Sequence, residues 1–209
     1  MNAKVDFFLQ LGQLSQESVA VLAPSFDNLP GSDYLDGAYR LRRYSHFKFD
    51  GETLLELPAK AFSQSDDLNT FQGNVAREYQ SVEADIVASD AFKELFVNFK
   101  SMANIADETP IEVHQIRILA NANESTPVAP EGVHQDGFDR LAVFVIARQN
   151  VSGGEVCVHC DKEQAPIFKH SFDKGEFVVL NDKRFWHSAG ELVAQEDDKA
   201  FMDVIVLTA

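Results

Sequence analysis

About halfway along this chain the hydrophobic pattern changes its period, and that change bounds the folds open to it. From Ile111 onward, short runs rich in β-branched and aromatic residues (111–120, 141–147, 155–160, 167–170, 177–180 and 202–207) are separated by Gly, Pro, Asn or Asp. The first half is spaced as helix instead. Residues 4–19 carry Val5, Phe8, Leu9 and Leu11, while Leu68, Phe71, Val75, Tyr79, Val82 and Ile86 step by three and four. A third helix, with Asp90 as its N-cap, would bury Phe92, Leu95, Phe96, Phe99 and Met102. Residues 23–36, with Pro24 and Pro30-Gly31, read as a loop, and residues 39–49 as a strand. Many short strands after a helical half predict a mainly β, α+β fold, a β-sandwich or jelly roll buttressed by helices. The run 141–147 is apolar on both faces, as a central strand requires.

At 209 residues, 45% of them hydrophobic, the chain has enough apolar mass for one core, so a single domain over 1–209 is expected. The helical buttress would lie mostly in 1–105, and the β core in 111–209 plus the strand near 37–49. Acidic residues number 33 against 18 basic, a formal charge of −15 that disfavours phosphate backbones and anionic lipid. Nucleic acid and membrane are therefore not expected partners. No apolar run approaches the roughly 18 to 20 residues of a membrane span, and Asp6 stands where a leader would be basic. A cytoplasmic protein is expected. Cys157 and Cys160 would lie about 10 Å apart along a strand, too far to bridge, which suits a reducing compartment.

Chemistry concentrates at His134-Gln135-Asp136 and, about fifty residues later, at His187 in Arg184-Phe185-Trp186-His187-Ser188. At a strand end, period-two alternation puts His134 and Asp136 on one face, and a histidine from a strand opposite completes two imidazoles and a carboxylate. That donor set leaves open metal positions, as non-haem iron oxygenation needs. A bare H-x-D with a later His also arises by chance in a chain with six His. Its setting argues for a site: Gly137 and a buried strand follow Asp136, and an apolar run with Asn181-Asp182 precedes His187. His46, His114 and His170 lack a carboxylate or thiol in register and read as surface or core residues. In Cys157-Val158-His159-Cys160, Cys160 points away from Cys157 and His159, so burial explains the cluster better than a metal.

Five stretches extend this reading: Arg40-Leu41-Arg42-Arg43-Tyr44-Ser45, Val113-His114-Gln115-Ile116-Arg117, His134-x-Asp136, Gly153-Gly154-Glu155, and His187 through the terminal strand 200–208. With them the chain, over most of its length beyond Gly37, resembles the iron(II) and 2-oxoglutarate dependent dioxygenases that hydroxylate free aliphatic amino acids, the group that includes bacterial L-isoleucine hydroxylase. The resemblance implies a double-stranded β-helix, with His134, Asp136 and His187 as catalytic iron ligands. It also implies the reaction: oxygen and 2-oxoglutarate give succinate and carbon dioxide as an aliphatic C–H of a small-molecule substrate is oxidised.

One position departs from the family. Its terminal strand carries an arginine before the aspartate, placed for the far carboxylate of 2-oxoglutarate, and here that residue is Met202. A thioether accepts only weak hydrogen bonds, where a guanidinium offers a planar fork. Three readings follow. Another arginine supplies the cation, Arg148 or Arg117; or iron is kept with a different cosubstrate or none; or the protein is a catalytically silent relative that binds metal or a small molecule, with a role in stress or biofilm response. The complete triad favours the first. A cupin-like enzyme using the same metal geometry for other chemistry is a further alternative.

On the substrate side, Arg40, Arg42 and Tyr44 share one strand face and could hold the α-carboxylate of an amino acid, or else form a solvated edge. Trp186, Phe138, Phe144 and Phe185 are candidates for an apolar wall, although core packing accounts for most phenylalanines. Arg184 suits loop anchoring.

Overall fold

The computed structural model describes residues 9–209. Along the chain run β1 (Leu9–Gln13), α1 (Gln16–Leu22), a 3-10 turn (Ala23–Phe26), β2 (Arg40–Asp50), β3 (Thr53–Glu56), α2 (Ala84–Val87) and α3 (Asp90–Ala103). Then follow β4 (Ile111–Ala120), β5 (Thr126–Pro127), β6 (Leu141–Gln149), β7 (Val151–Gly153), β8 (Val156–His159) and β9 (Phe168–His170). The chain ends with β10 (Glu176–Leu180), β11 (Trp186–Ala189), β12 (Glu191–Ala194) and β13 (Ala200–Thr208). Seven strands form the major sheet in the order β1-β10-β6-β13-β4-β2-β3, and β11-β8-β9 and β5-β12-β7 form two smaller sheets. The pairings are antiparallel. This is the expected helix-buttressed jelly roll, and β6 is central, flanked by β10 and β13.

Both faces of the major sheet are covered, by different things. Odd residues of β13, such as Ile205 and Leu207, join Phe47, Phe92, Phe96, Phe99, Phe144 and Phe177 in the core under α1 and α3. Even residues Met202, Val204 and Val206 face a cavity. Helix α3 forms because Phe92, Leu95, Phe96 and Phe99 make one buried stripe, and it ends at Asn104 in the left-handed conformation. Its N-cap is Ser89, whose hydroxyl accepts from the Phe92 amide at 3.2 Å, and Asp90 is the first helical residue instead.

Two helical expectations fail. Of the segment 4–19, residues 4–8 lie outside the described residues; Leu9–Gln13 pairs with β10 as an edge strand, and the helix starts only after the Ser15 cap. Partnering with a sheet overrides spacing that is ambiguous in a run this short. Between 68 and 86 only Ala84–Val87 is helical. There Asn69 Oδ1 accepts from the amides of Phe71 and Gln72, and Asn74 has φ 60°, so the backbone is committed to turns. The segment closes over the cavity, tied by a bridge between Phe62 and Arg77.

Candidate metal centre and cavity

His134 and His187 exchange both backbone hydrogen bonds at 2.9 Å, an isolated bridge that holds their rings 4.3 Å apart. Asp136 completes the group: Oδ1 lies 3.7 Å from His134 Nε2, and Oδ2 3.4 Å from His187 Nε2. One ligand atom from each residue falls within 4.8 Å of the others. Ligands ~2.1 Å from one six-coordinate ion stand about 3 Å apart, so two imidazoles and a carboxylate at this spacing fit Fe(II) with small closure.

The surrounding groups fix orientation. The Gly132 carbonyl lies 2.9 Å from His134 Nδ1 and can only accept, so Nδ1 carries the proton and Nε2 faces the metal position. Asp182, wholly buried, places Oδ1 3.1 Å from His187 Nδ1, and its Oδ2 accepts from the Asp136 amide at 2.9 Å. The sequence showed Asp182 only as part of a turn. Burial and the neighbouring His187 push His134 down. Burial opposes the charge of His187, but the Asp136 and Asp182 carboxylates push it up to about 10. Burial likewise opposes Asp136, which His187 and His134 hold well below the usual carboxylate range. These three groups are poised to exchange a proton for a cation.

The triad opens on a cavity of about 130 Å³ lined in large part by four strands of the major sheet. Register sets the layout of this sheet face in rows: Arg148-Met202-Ile118-Arg40, then Val145-Val204-Ile116-Arg42, then Val143-Val206-His114-Tyr44. Arg148 reaches its row through a bulge. β13 pairs Asp203 with Ala147 but Val204 with Val145, so Ile146 is unpaired and Arg148 returns to the cavity face opposite Met202. Its Nη1 donates to Met202 Sδ at 3.2 Å and Nη2 to the Gly153 carbonyl at 2.7 Å. Gly154, at φ 68°, is needed there: a Cβ would stand 3.2 Å from that sulfur. Burial pushes Arg148 below its ordinary pKa, against Asp173 and Glu155.

Arg117 lies on the other face. It donates two bonds to Asp203 (2.7 and 2.8 Å) and one to Asp27 (2.8 Å), over the Phe201 ring. It cannot be the relocated cation, because strand alternation turns it away from the cavity. Arg40 and Arg42 line the cavity, as does Arg77, which the sequence reading missed. Tyr44 is buried against Phe62 and His114 and is not among the lining residues. Trp186 alternates with His187 and lies beneath Lys162, so it forms no wall. Nor do Phe138, Phe144 or Phe185 line the cavity, whose aromatic is Phe62. His114 does line it, with Nδ1 buried and unpartnered among the described residues, contrary to a plain core role. Burial, then Arg42, keeps His114 neutral. Cys157 is buried and Cys160 exposed, both as free thiols.

A jelly roll that aims two imidazoles and a carboxylate into an apolar cavity has the donor set of a non-haem metal oxygenase. A family model described as 2OG-Fe dioxygenase matches residues 23–208, and the chain belongs to that family. Its cofactors are Fe(II) and 2-oxoglutarate, and it is a dioxygenase acting with oxygen on a small molecule. Among solved structures, a bsmA homologue from Methylobium petroleophilum PM1 is 24% identical with TM-score 0.80, over 92% of this chain and 80% of that one. IDO from Bacillus thuringiensis is 18% identical with TM-score 0.74, over 95% and 92%. The Fe(II)/α-ketoglutarate-dependent dioxygenase TqaL is 19% identical with TM-score 0.63, over 93% and 74%. These likenesses are of fold. No curated protein matches, and among the described residues no helix is long and apolar enough to cross a membrane.

Proposed function

We propose that His134, Asp136 and His187 hold the iron, that Arg148 takes the far carboxylate of 2-oxoglutarate, and that the substrate is a free aliphatic L-amino acid hydroxylated on its side chain. The observation that carries this reading is a cavity lined by Arg40, Arg42 and Arg77, with Arg148 directly behind the lining residue Met202 on the other side. Arg148 stands at one side, Arg40 and Arg42 at the other, three strand spacings or ~14 Å apart. Between them runs an apolar strip of Ile116, Ile118, Val145 and Val204. One carboxylate ligand accounts for one end, and a second acid accounts for the other.

Iron with 2-oxoglutarate and oxygen supplies the oxidising power for an aliphatic C–H bond; the chain's part is to hold and aim. Arg148 is parked on a thioether, a weak acceptor that a carboxylate displaces without stranding a strong partner. The apolar strip keeps water from the alkyl chain of the substrate. The reading assigns the activity to a single domain over residues 1–209 and a cytoplasmic setting, which the free thiols support.

The test is anaerobic protein with Fe(II) and 2-oxoglutarate, followed by air and a panel of twenty L-amino acids. A visible charge-transfer band, succinate, and a product heavier by one oxygen are expected. Absence of band and succinate at millimolar cosubstrate sinks the dioxygenase assignment of these residues, and succinate without any oxygenated amino acid sinks the substrate class.

A further inference from the structure

The arginines of this molecule differ in how they are satisfied. Arg40 donates to Asp36 at 2.9 Å, Arg43 to Glu83 at 3.0 Å, and Arg117 binds two carboxylates. Arg42 and Arg77 do not follow this pattern. Arg42 is 6% exposed and its guanidinium makes no hydrogen bond to any described residue; it lies over the Tyr79 ring at 5.2 Å. Arg77 is 1% exposed and makes one long bond, 3.4 Å, to Gln64 Oε1, with no carboxylate on it; its Nε is buried without a partner, as are those of Arg40 and Arg43, and the guanidinium lies over the Phe62 ring at 4.7 Å. Both line the cavity. Arg42 comes from β2, and Arg77 from the irregular segment that closes over the site.

We infer that Arg42 and Arg77 form the receptor for the substrate's carboxylate, two planar forks backed by aromatic rings that take its two oxygens between them. This rests on the proposed substrate class and sharpens it, because Arg40 is already engaged by Asp36 and Arg77 takes its place. Two guanidinium groups buried with almost no acceptors are costly in the empty protein, and a ligand carboxylate supplies what they lack. Burial, and next Arg40, push Arg42 down to about 10, which still leaves it charged at neutral pH. From that anchor the ligand runs along Ile116 and Val204, the row of Arg42. Glu131 lines the same region, 3.9 Å from Arg40 and 3.3 Å from Asn69, and distinguishes an α-amino acid from a plain acid by offering an ammonium its partner.

The experiment uses the full chain with Arg42→Met and Arg77→Met, and Arg117→Met as the satisfied control. Replacing a satisfied buried ion destabilises, whereas replacing an unsatisfied one by an apolar side chain is neutral or stabilising. Metal-free Arg42→Met and Arg77→Met should therefore melt at or above the parent temperature, while Arg117→Met melts well below it. With metal and 2-oxoglutarate present, the twenty L-amino acids and their desamino counterparts are screened for thermal shift. At least one should raise the parent's melting temperature by about 2–4 °C. Both Met variants should lose that shift and keep their affinity for 2-oxoglutarate within about twofold, and Arg77→Lys should regain part of it. A shift by the amino acid and not its desamino form assigns Glu131 its role; equal shifts leave a carboxylate receptor only. Lowered melting of both metal-free Met variants, an undiminished shift in both, or no acid acting on the parent overturns the inference. Succinate formation by the parent reports on the dioxygenase reading separately.

Discussion

The two cationic groups proposed to serve the cavity, Arg148 behind Met202 and Arg42 with Arg77 in the lining, are built on opposite principles. At the Arg148 end, one guanidinium is positioned by a strand bulge and held by a thioether and a backbone carbonyl. At the Arg42 end, two guanidiniums are pressed against aromatic rings and left nearly without acceptors. The first is already aimed before any ligand arrives, with only a weak thioether contact to give up. The second is unfinished until an anion comes, and half of it sits on an irregular segment. A cosubstrate common to every turnover suits the prepared end, and a substrate that must be recognised suits the end that ligand binding completes.

The largest expected effect removes what lies between the ends. Asp136→Ala deletes the only carboxylate of the triad and should abolish metal retention and 2-oxoglutarate consumption. If the two ends are independent, acid-induced stabilisation at Arg42 and Arg77 survives in this variant; its disappearance would join that end to the metal. Next comes Arg148→Met, which leaves a carboxylate without its cation and should weaken 2-oxoglutarate binding by about 10²- to 10³-fold, with metal affinity unchanged. Titration of the charge-transfer band reads both. Arg117→Met should leave that titration where it is, because Arg117 faces the helices.

A smaller effect is expected at Asp182, which sits behind His187. Asp182→Asn should lower metal affinity by about 10- to 100-fold, measured by competition with a chelator, and should move neither end of the cavity. An equal loss in the acid-induced shift would mean that Asp182 holds more than the metal site.

The triad was legible in the sequence because an H-x-D needs only alternation, and the family motifs fixed its partner. Met202 was legible as a departure, and Arg148 as one of two candidates to replace the family arginine. What separates Arg148 from Arg117 is the unpaired Ile146, since strict alternation from Val145 would have sent Arg148 outward, and a bulge leaves no mark in hydrophobic spacing. Arg77 was hidden for a different reason. The spacing from Leu68 to Ile86 predicts a helix with apolar residues on one stripe, a pattern that leaves no place for a buried arginine facing a cavity. Asn69 and Asn74 were signals of turns, and their Asx chemistry was outweighed by the spacing. Tertiary closure over the cavity decides that segment, and local propensity does not encode it.

The smallest expected effect tests whether the two halves of the site communicate. Gln64 Nε2 donates to Asp136 Oδ1 at 3.3 Å, while its Oε1 accepts from Asn69 at 3.0 Å and Arg77 at 3.4 Å. One amide thus touches a metal ligand and a substrate-end arginine. Near the same place, Leu68 packs on Gly137, where a Cβ would stand 2.5 Å from its Cδ1, so the segment is seated on the turn that follows Asp136. Gln64→Ala removes a long bond at each end and should lower metal affinity only a few-fold, in line with about 0.5–1.5 kcal/mol for a neutral hydrogen bond. Gln64→Glu keeps the shape but turns a carboxylate toward Asp136, so the loss of 2-oxoglutarate turnover should exceed that of Gln64→Ala, while Arg77 gains an ion pair and the acid-induced shift weakens. Equal behaviour of the two variants would mean that Gln64 fills space, and that the prepared end and the unfinished end reach the metal without a shared amide.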